Sequence, residues 1–143
     1  MPLEPVRIAA VGCGYWGPNV IRNLGDVEGF ELAYICDADP RRLRPIAARH
    51  PSAQPTTNVD DVLDDRTIDA VYLATPVSTH YDLVRRALES GKHVLIEKPL
   101  ATTVDQAEDL AELAERQRLT LMVGHTFVFS PPVRKVKELL DSG

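Results

Sequence analysis

With 143 residues, 44% of them hydrophobic and 26% charged, the chain holds material for one domain with a sizeable core and not for two. The 16 Lys and Arg stand against 21 Asp and Glu, and a net charge of −5 argues against a nucleic-acid partner held by phosphate neutralisation. No run of about 18 apolar residues is present to cross a membrane.

The N-terminus, Met1-Pro2-Leu3-Glu4-Pro5, lacks the basic and apolar regions of a secretory signal, so a cytoplasmic protein without a membrane partner is expected. Val6 to Val11 is a β-branched-rich run that stops at Gly12 and predicts a strand. Pro18 suits a first helical position, and Val20, Ile21 and Leu24 continue a helix expected to stop at Gly25. Phe30 to Cys36 reads as a second strand, followed by a helix from Pro40 that carries Leu43, Ile46 and Ala47. A short, weak strand is expected near Gln54 to Thr57, and a firmer one over Asp69 to Ala74.

Ser78 to Glu89 predicts a helix with Leu83, Val84, Ala87 and Leu88 on one face, ended by Gly91. His93 to Ile96 is the next strand. Thr102 or Thr103 can cap a helix whose stripe is Val104, Ala107, Leu110, Ala111 and Ala114. Leu119 to Val123 supplies a sixth strand. Apolar strands alternating with helices predict a doubly wound α/β fold, a parallel sheet of about six strands covered on both faces. A last helix, Pro132 to Asp141, has Val133, Val136, Leu139 and Leu140 on one side and nothing obvious to cover.

Cys13 and Cys36, the only cysteines, have neither the number nor the spacing of a disulfide framework or a zinc site. Each is expected to be a buried or half-buried thiol, and no metal is expected.

The chemistry-bearing motif is Gly12-Cys13-Gly14-Tyr15-Trp16-Gly17, a G-x-G-x-x-G between a predicted strand and a predicted helix. In that context the first glycine permits the tight turn, the second lets backbone approach a pyrophosphate, and the third lets helix and sheet pack closely. The free N–H groups at the helix start face the anion. Asp37 follows Gly17 by 20 positions at the end of the second strand, where a carboxylate accepts from ribose hydroxyls and repels a 2′-phosphate. The expected cofactor is therefore NAD rather than NADP. Arg41 and Arg42, beside Asp37 and Asp39, read as a solvated helix face.

A Walker loop is excluded because no G-K-[ST] follows the glycines, and nothing after the fourth strand suggests a methyl-donor pocket. Ligands of open parallel sheets bind beyond the carboxyl ends of the strands. Thr75-Pro76 with His80, Glu97-Lys98-Pro99 and Gly124-His125-Thr126 all follow strands and are expected to converge where a nicotinamide would lie.

The glycine motif, Ala74-Thr75-Pro76 followed by His80, and Gly91-Lys92-His93-Val94 leading into Glu97-Lys98-Pro99 resemble the N-terminal half of the Gfo/Idh/MocA oxidoreductases over nearly the whole chain. Gly14-Tyr15-Trp16-Gly17-Pro18-Asn19 and Met122 to Phe127 are similar to the subgroup acting on nucleotide-linked sugars, such as UDP-N-acetylglucosaminuronate 3-dehydrogenases.

The resemblance implies that Lys98 is catalytic, its ammonium stabilising the alkoxide that develops on a sugar hydroxyl as hydride leaves the adjacent carbon. It further implies that Glu97, Thr75 and Pro76 line the nicotinamide end, that Tyr15 and Trp16 flank the pyrophosphate, and that His80 and His125 belong to the cofactor site. Residues 1–126 would be the dinucleotide-binding domain. Residues 127–143 would be the bridge to a substrate domain that this chain lacks, leaving it without turnover of its own. Two further readings stand beside this one. The chain could be a free-standing NAD(H)-binding sensor, or the apolar last helix could drive assembly into a homo-oligomer.

Overall fold

In the computed structural model, which describes residues 4–143, the alternating pattern becomes one six-stranded sheet. Its strands are β1 (Val6–Val11), β2 (Phe30–Cys36), β3 (Gln54–Thr56), β4 (Ala70–Leu73), β5 (His93–Ile96) and β6 (Leu121–Val123). Every pairing is parallel, in the order β3-β2-β1-β4-β5-β6. The helices are α1 (Gly17–Asp26), α2 (Pro40–Ala47), α3 (Asp60–Leu63), α4 (His80–Glu89), α5 (Val104–Gln117) and α6 (Pro131–Asp141).

Alternate residues of a strand point to opposite faces, so a strand buried on both sides must be apolar throughout. In β1, Ile8 and Ala10 pack with Ile21 and Leu24 of α1 and Leu43 and Ile46 of α2. Ala9 and Val11 turn the other way, toward Val62 of α3, Val84, Ala87 and Leu88 of α4, and Leu110 and Leu113 of α5. The first crossovers thus cover one face and the later ones the other. The chain reverses its winding between β1 and β4, which leaves a crevice beyond the carboxyl ends of those two strands.

Four local expectations are corrected. The first helix runs through Gly25 to Asp26, and the reversal into β2 is made at Gly29, whose φ is +93°. A mid-helix glycine costs only about 1 kcal/mol, less than the burial of Leu24 beside it supplies. Helix α3 was not anticipated, because four residues show no periodicity; the Asn58 side chain accepts from Asp60 N–H at 3.1 Å and starts the turn. Helix α4 begins at His80, after a 3-10 turn at Val77–Thr79. In α5 the inward residues are Leu110, Leu113 and Ala114, whereas Ala111 and Val104 face solvent. Two leucines bury more apolar area than alanines do and set the rotation of the helix.

Helix α6 buries none of its residues. Among the described residues no helix is long and apolar enough to cross a membrane.

Candidate functional site

Backbone bonds continue past the strand ends and stack the following loops along one edge of the sheet. Gly12 N–H donates to Cys36 O at 2.8 Å, Ala74 N–H to Val11 O at 2.8 Å, Glu97 N–H to Leu73 O at 3.0 Å and Gly124 N–H to Ile96 O at 2.8 Å. The loops that the sequence singles out are therefore neighbours.

A cleft of about 740 Å³ opens over the β1–β4 crevice, and Gly12, Gly14, Tyr15, Asp37, Thr75 and Pro76 lie on its walls. Gly12 has φ +104°, and a Cβ there would stand 2.5 Å from Ala74 O. A Cβ on Gly17 would stand 2.0 Å from Gly12 O, so this glycine sits beneath the loop rather than in the cleft. Gly14 differs, since a Cβ would meet nothing within 4 Å and its backbone borders open space. The N-terminus of α1 has no side-chain cap. Uncapped N–H groups beside an open glycine suit an anion such as a pyrophosphate.

The Asp37 carboxylate ties the glycine loop to the end of β2. Its Oδ2 accepts from Cys13 N–H at 2.6 Å and its Oδ1 from Asp39 N–H at 2.8 Å. A carboxylate offers about four acceptor positions, so two remain for ribose hydroxyls. Both cysteines are buried and free. Burial, followed by the negative charge of Asp37, pushes the Cys13 thiol up to about 12 and the Cys36 thiol up to about 11. Neither is therefore a nucleophile near neutral pH.

A smaller pocket, about 150 Å³, adjoins this cleft and is bordered by Tyr15, Trp16, Thr75, His80, Glu97 and Lys98. Tyr15 and Trp16 stack edge to face at 5.3 Å and remain 87% and 54% exposed. Tyr72 OH donates to Glu97 Oε1 at 3.0 Å, orienting the carboxylate; burial and then the Glu97 charge push the Tyr72 phenol well above its ordinary range. Lys98 is exposed at the mouth.

Two of the histidines expected at the cofactor stand differently. His80 is 1% exposed, with Nδ1 2.7 Å from Pro99 O and Nε2 2.9 Å from Thr75 O. Its ring lies between the loops after β4 and β5, each nitrogen within hydrogen-bond distance of a carbonyl, and its N–H donates to one of them according to the tautomer. His125 is exposed and borders neither cavity; Gly124 is the residue of that loop that meets Glu97, a Cβ there lying 3.6 Å from its carboxylate oxygens.

Arg41 and Arg42 are both exposed on the helix, as their pattern predicts, and Arg42 also lines the large cleft. Asn58 and Val59, after β3, also line it and belong to none of the motifs in the sequence. The signal was available: β3 lies beside β2, so its following loop shares the same edge.

The profile of the oxidoreductase family with an NAD-binding Rossmann fold, GFO_IDH_MocA, matches residues 6–125. The dTDP-3,4-didehydro-2,6-dideoxy-alpha-D-glucose 3-reductase of Saccharopolyspora spinosa is 33% identical over 98% of this chain and 42% of its own length. KijD10, a 3-ketoreductase from Actinomadura kijaniata solved with NADP and TDP-benzene, superimposes with a TM-score of 0.89 at 32% identity, over 98% of this chain and 43% of that one. GenD2 from gentamicin A biosynthesis, solved with NAD, gives 0.89 and 32% over 97% and 40%. The chain spans about two-fifths of the length of the curated relatives that it matches.

Proposed function

The chain belongs to the Gfo/Idh/MocA oxidoreductase family, and we propose that it is the cofactor half of an NAD-dependent dehydrogenase acting on a sugar, in particular a nucleotide-linked sugar. The observation that carries this reading is the pairing of Gly14, whose backbone borders open space, with Asp37, whose carboxylate keeps acceptor positions free on the same cleft. A pyrophosphate suits the first and a ribose the second. These residues fit an NAD molecule, whose nicotinamide supplies the hydride acceptor or donor when bound.

Within this reading Gly12, Gly14 and the start of α1 hold the pyrophosphate, and Asp37 holds the adenosine ribose. Tyr15 and Trp16 flank the pyrophosphate. Thr75, Pro76 and Glu97 line the nicotinamide end. His80 supports that end from below by joining the Thr75 and Pro99 carbonyls. Lys98, exposed at the small pocket, holds the proton of the reacting sugar hydroxyl and stabilises the developing alkoxide. Residues 1–126 form the dinucleotide-binding unit. Residues 127–143 include α6, whose apolar side chains Val133, Val136, Leu139 and Leu140 are exposed, and serve as the bridge to a substrate-binding part.

Titration of the 143-residue chain with NADH, followed by nicotinamide fluorescence, tests the reading. Saturable one-to-one binding is expected, and Asp37→Ala should weaken it about tenfold through loss of charged hydrogen bonds. Absence of saturation in the wild-type chain, or an unchanged affinity in Asp37→Ala, overturns it. In an enzyme that includes the substrate-binding part, Lys98→Ala should keep NADH affinity and lose turnover; retained turnover removes Lys98 from its role.

A further inference from the structure

The turn from β2 into α2 carries two carboxylates and two guanidinium groups within six residues, and the four side chains are not equivalent. Asp37 faces the glycine loop. Asp39 caps α2, its Oδ1 accepting from Arg41 N–H at 2.9 Å, and the same carboxylate grips the Arg41 side chain at two points, Nε to Oδ1 at 3.1 Å and Nη2 to Oδ2 at 3.0 Å. Arg42 Nε stands 3.9 Å from Asp39 Oδ2, within electrostatic reach but without a hydrogen bond. Asp37, Asp39 and Arg42 all line the large cleft.

A 2′-phosphate on the adenosine ribose would arrive beside Asp37, where a guanidinium is the group that can receive it. Both guanidiniums of this turn are drawn to Asp39. We infer that Asp39 is a second cofactor-specificity residue, which by holding Arg41 and attracting Arg42 withholds both cations from a 2′-phosphate and reserves the cleft for the dinucleotide without one. The inference rests on the cofactor reading above and adds to it a residue that acts on the arginines rather than on the ribose. Direct repulsion between the Asp39 carboxylate and a phosphate dianion works in the same direction.

The test compares NADH and NADPH binding to the 143-residue chain by equilibrium fluorescence titration. Asp39→Ser removes the charge and the two-point grip while keeping an oxygen that caps α2. Asp39→Asn, which also caps, replaces it if thermal melting shows the serine variant to be less stable. The expected result is NADPH binding tightened about threefold to tenfold, with NADH changed less than about twofold, the size expected from releasing an exposed ion pair. Adding Arg41→Ala and Arg42→Ala together to Asp39→Ser should return most of that gain, leaving only the part owed to direct repulsion, and raising the salt concentration should shrink it. An unchanged NADPH to NADH ratio in Asp39→Ser, or a gain that both arginine replacements together leave undiminished, overturns the inference while leaving NADH binding intact. A wild-type chain that binds neither dinucleotide overturns the cofactor reading and this inference with it.

Discussion

Gly14 and Gly17 lie three residues apart in one motif, yet they face opposite constraints. A methyl group on Gly17 would be driven into the Gly12 carbonyl at 2.0 Å, where backbone rather than a flexible side chain must yield. Gly17→Ala should therefore cost about 3 kcal/mol of stability or prevent folding, read as a lower denaturation midpoint. Gly14→Ala meets no protein atom within 4 Å and should melt with the wild type. It should nevertheless weaken NADH binding about tenfold, because the methyl occupies the approach that the ligand needs. Equal melting losses in both variants would mean that Gly14 is a folding residue and not an opening for a ligand. The motif in its strand-to-helix context predicts this division of labour, and the places of Gly12 O and of the cleft give its physical cause. His80 is the contrasting case: its place after β4 suggests a group presented to ligand, whereas the fold encloses its ring between two carbonyls.

At the scale of single elements, the sequence was most informative where one strong force decided the outcome. The strands are legible because burial on both faces leaves only apolar residues inside, and β1, β2 and β5 begin and end as their apolar runs do. Helix α3 is illegible because four residues are too few to show an apolar period, although Val62 and Leu63 pack into the core and the Asn58 side chain starts the turn. Helix α5 was legible as a helix but not in its rotation. The sequence offers Ala111 and Leu113 as alternatives on nearly opposite faces, and the packing of Leu113 in the core decides between them. Leu110→Ala should accordingly lose about 2–5 kcal/mol of unfolding free energy, since Leu110 is fully enclosed. Ala111→Ser should stay within about 0.5 kcal/mol. Denaturant unfolding measures both, and a large loss in Ala111→Ser would restore the rotation that the alanine-rich stripe suggests.

Across the whole molecule, winding order and site location go together. A sheet ordered β3-β2-β1-β4-β5-β6 puts the motif after β1 beside the Thr75 loop after β4, and the distance in sequence between them disappears. Alternating strands and helices with crossovers of one hand predict a doubly wound parallel sheet, but they do not say where the winding reverses. What an apolar pattern does not reveal is whether its face is covered. In α6, Val136, Leu139 and Leu140 are 56%, 59% and 77% exposed, and Phe127 and Phe129, just before it, are 74% and 61% exposed. An apolar side chain stabilises a fold only by leaving water, so these residues contribute little to the 143-residue chain. Replacing Leu139 and Leu140 together by Gln, which keeps helix propensity, should shift its unfolding free energy by less than about 0.5 kcal/mol. In an enzyme that continues into a substrate-binding part over this helix, the same pair should cost about 3 kcal/mol, the burial of two leucines. Denaturant unfolding of both proteins separates the cases. A loss of that size in the short chain at all protein concentrations would mean that α6 already packs within it. A loss that fades on dilution would mean that two copies cover the face for each other, because stability gained by association depends on concentration.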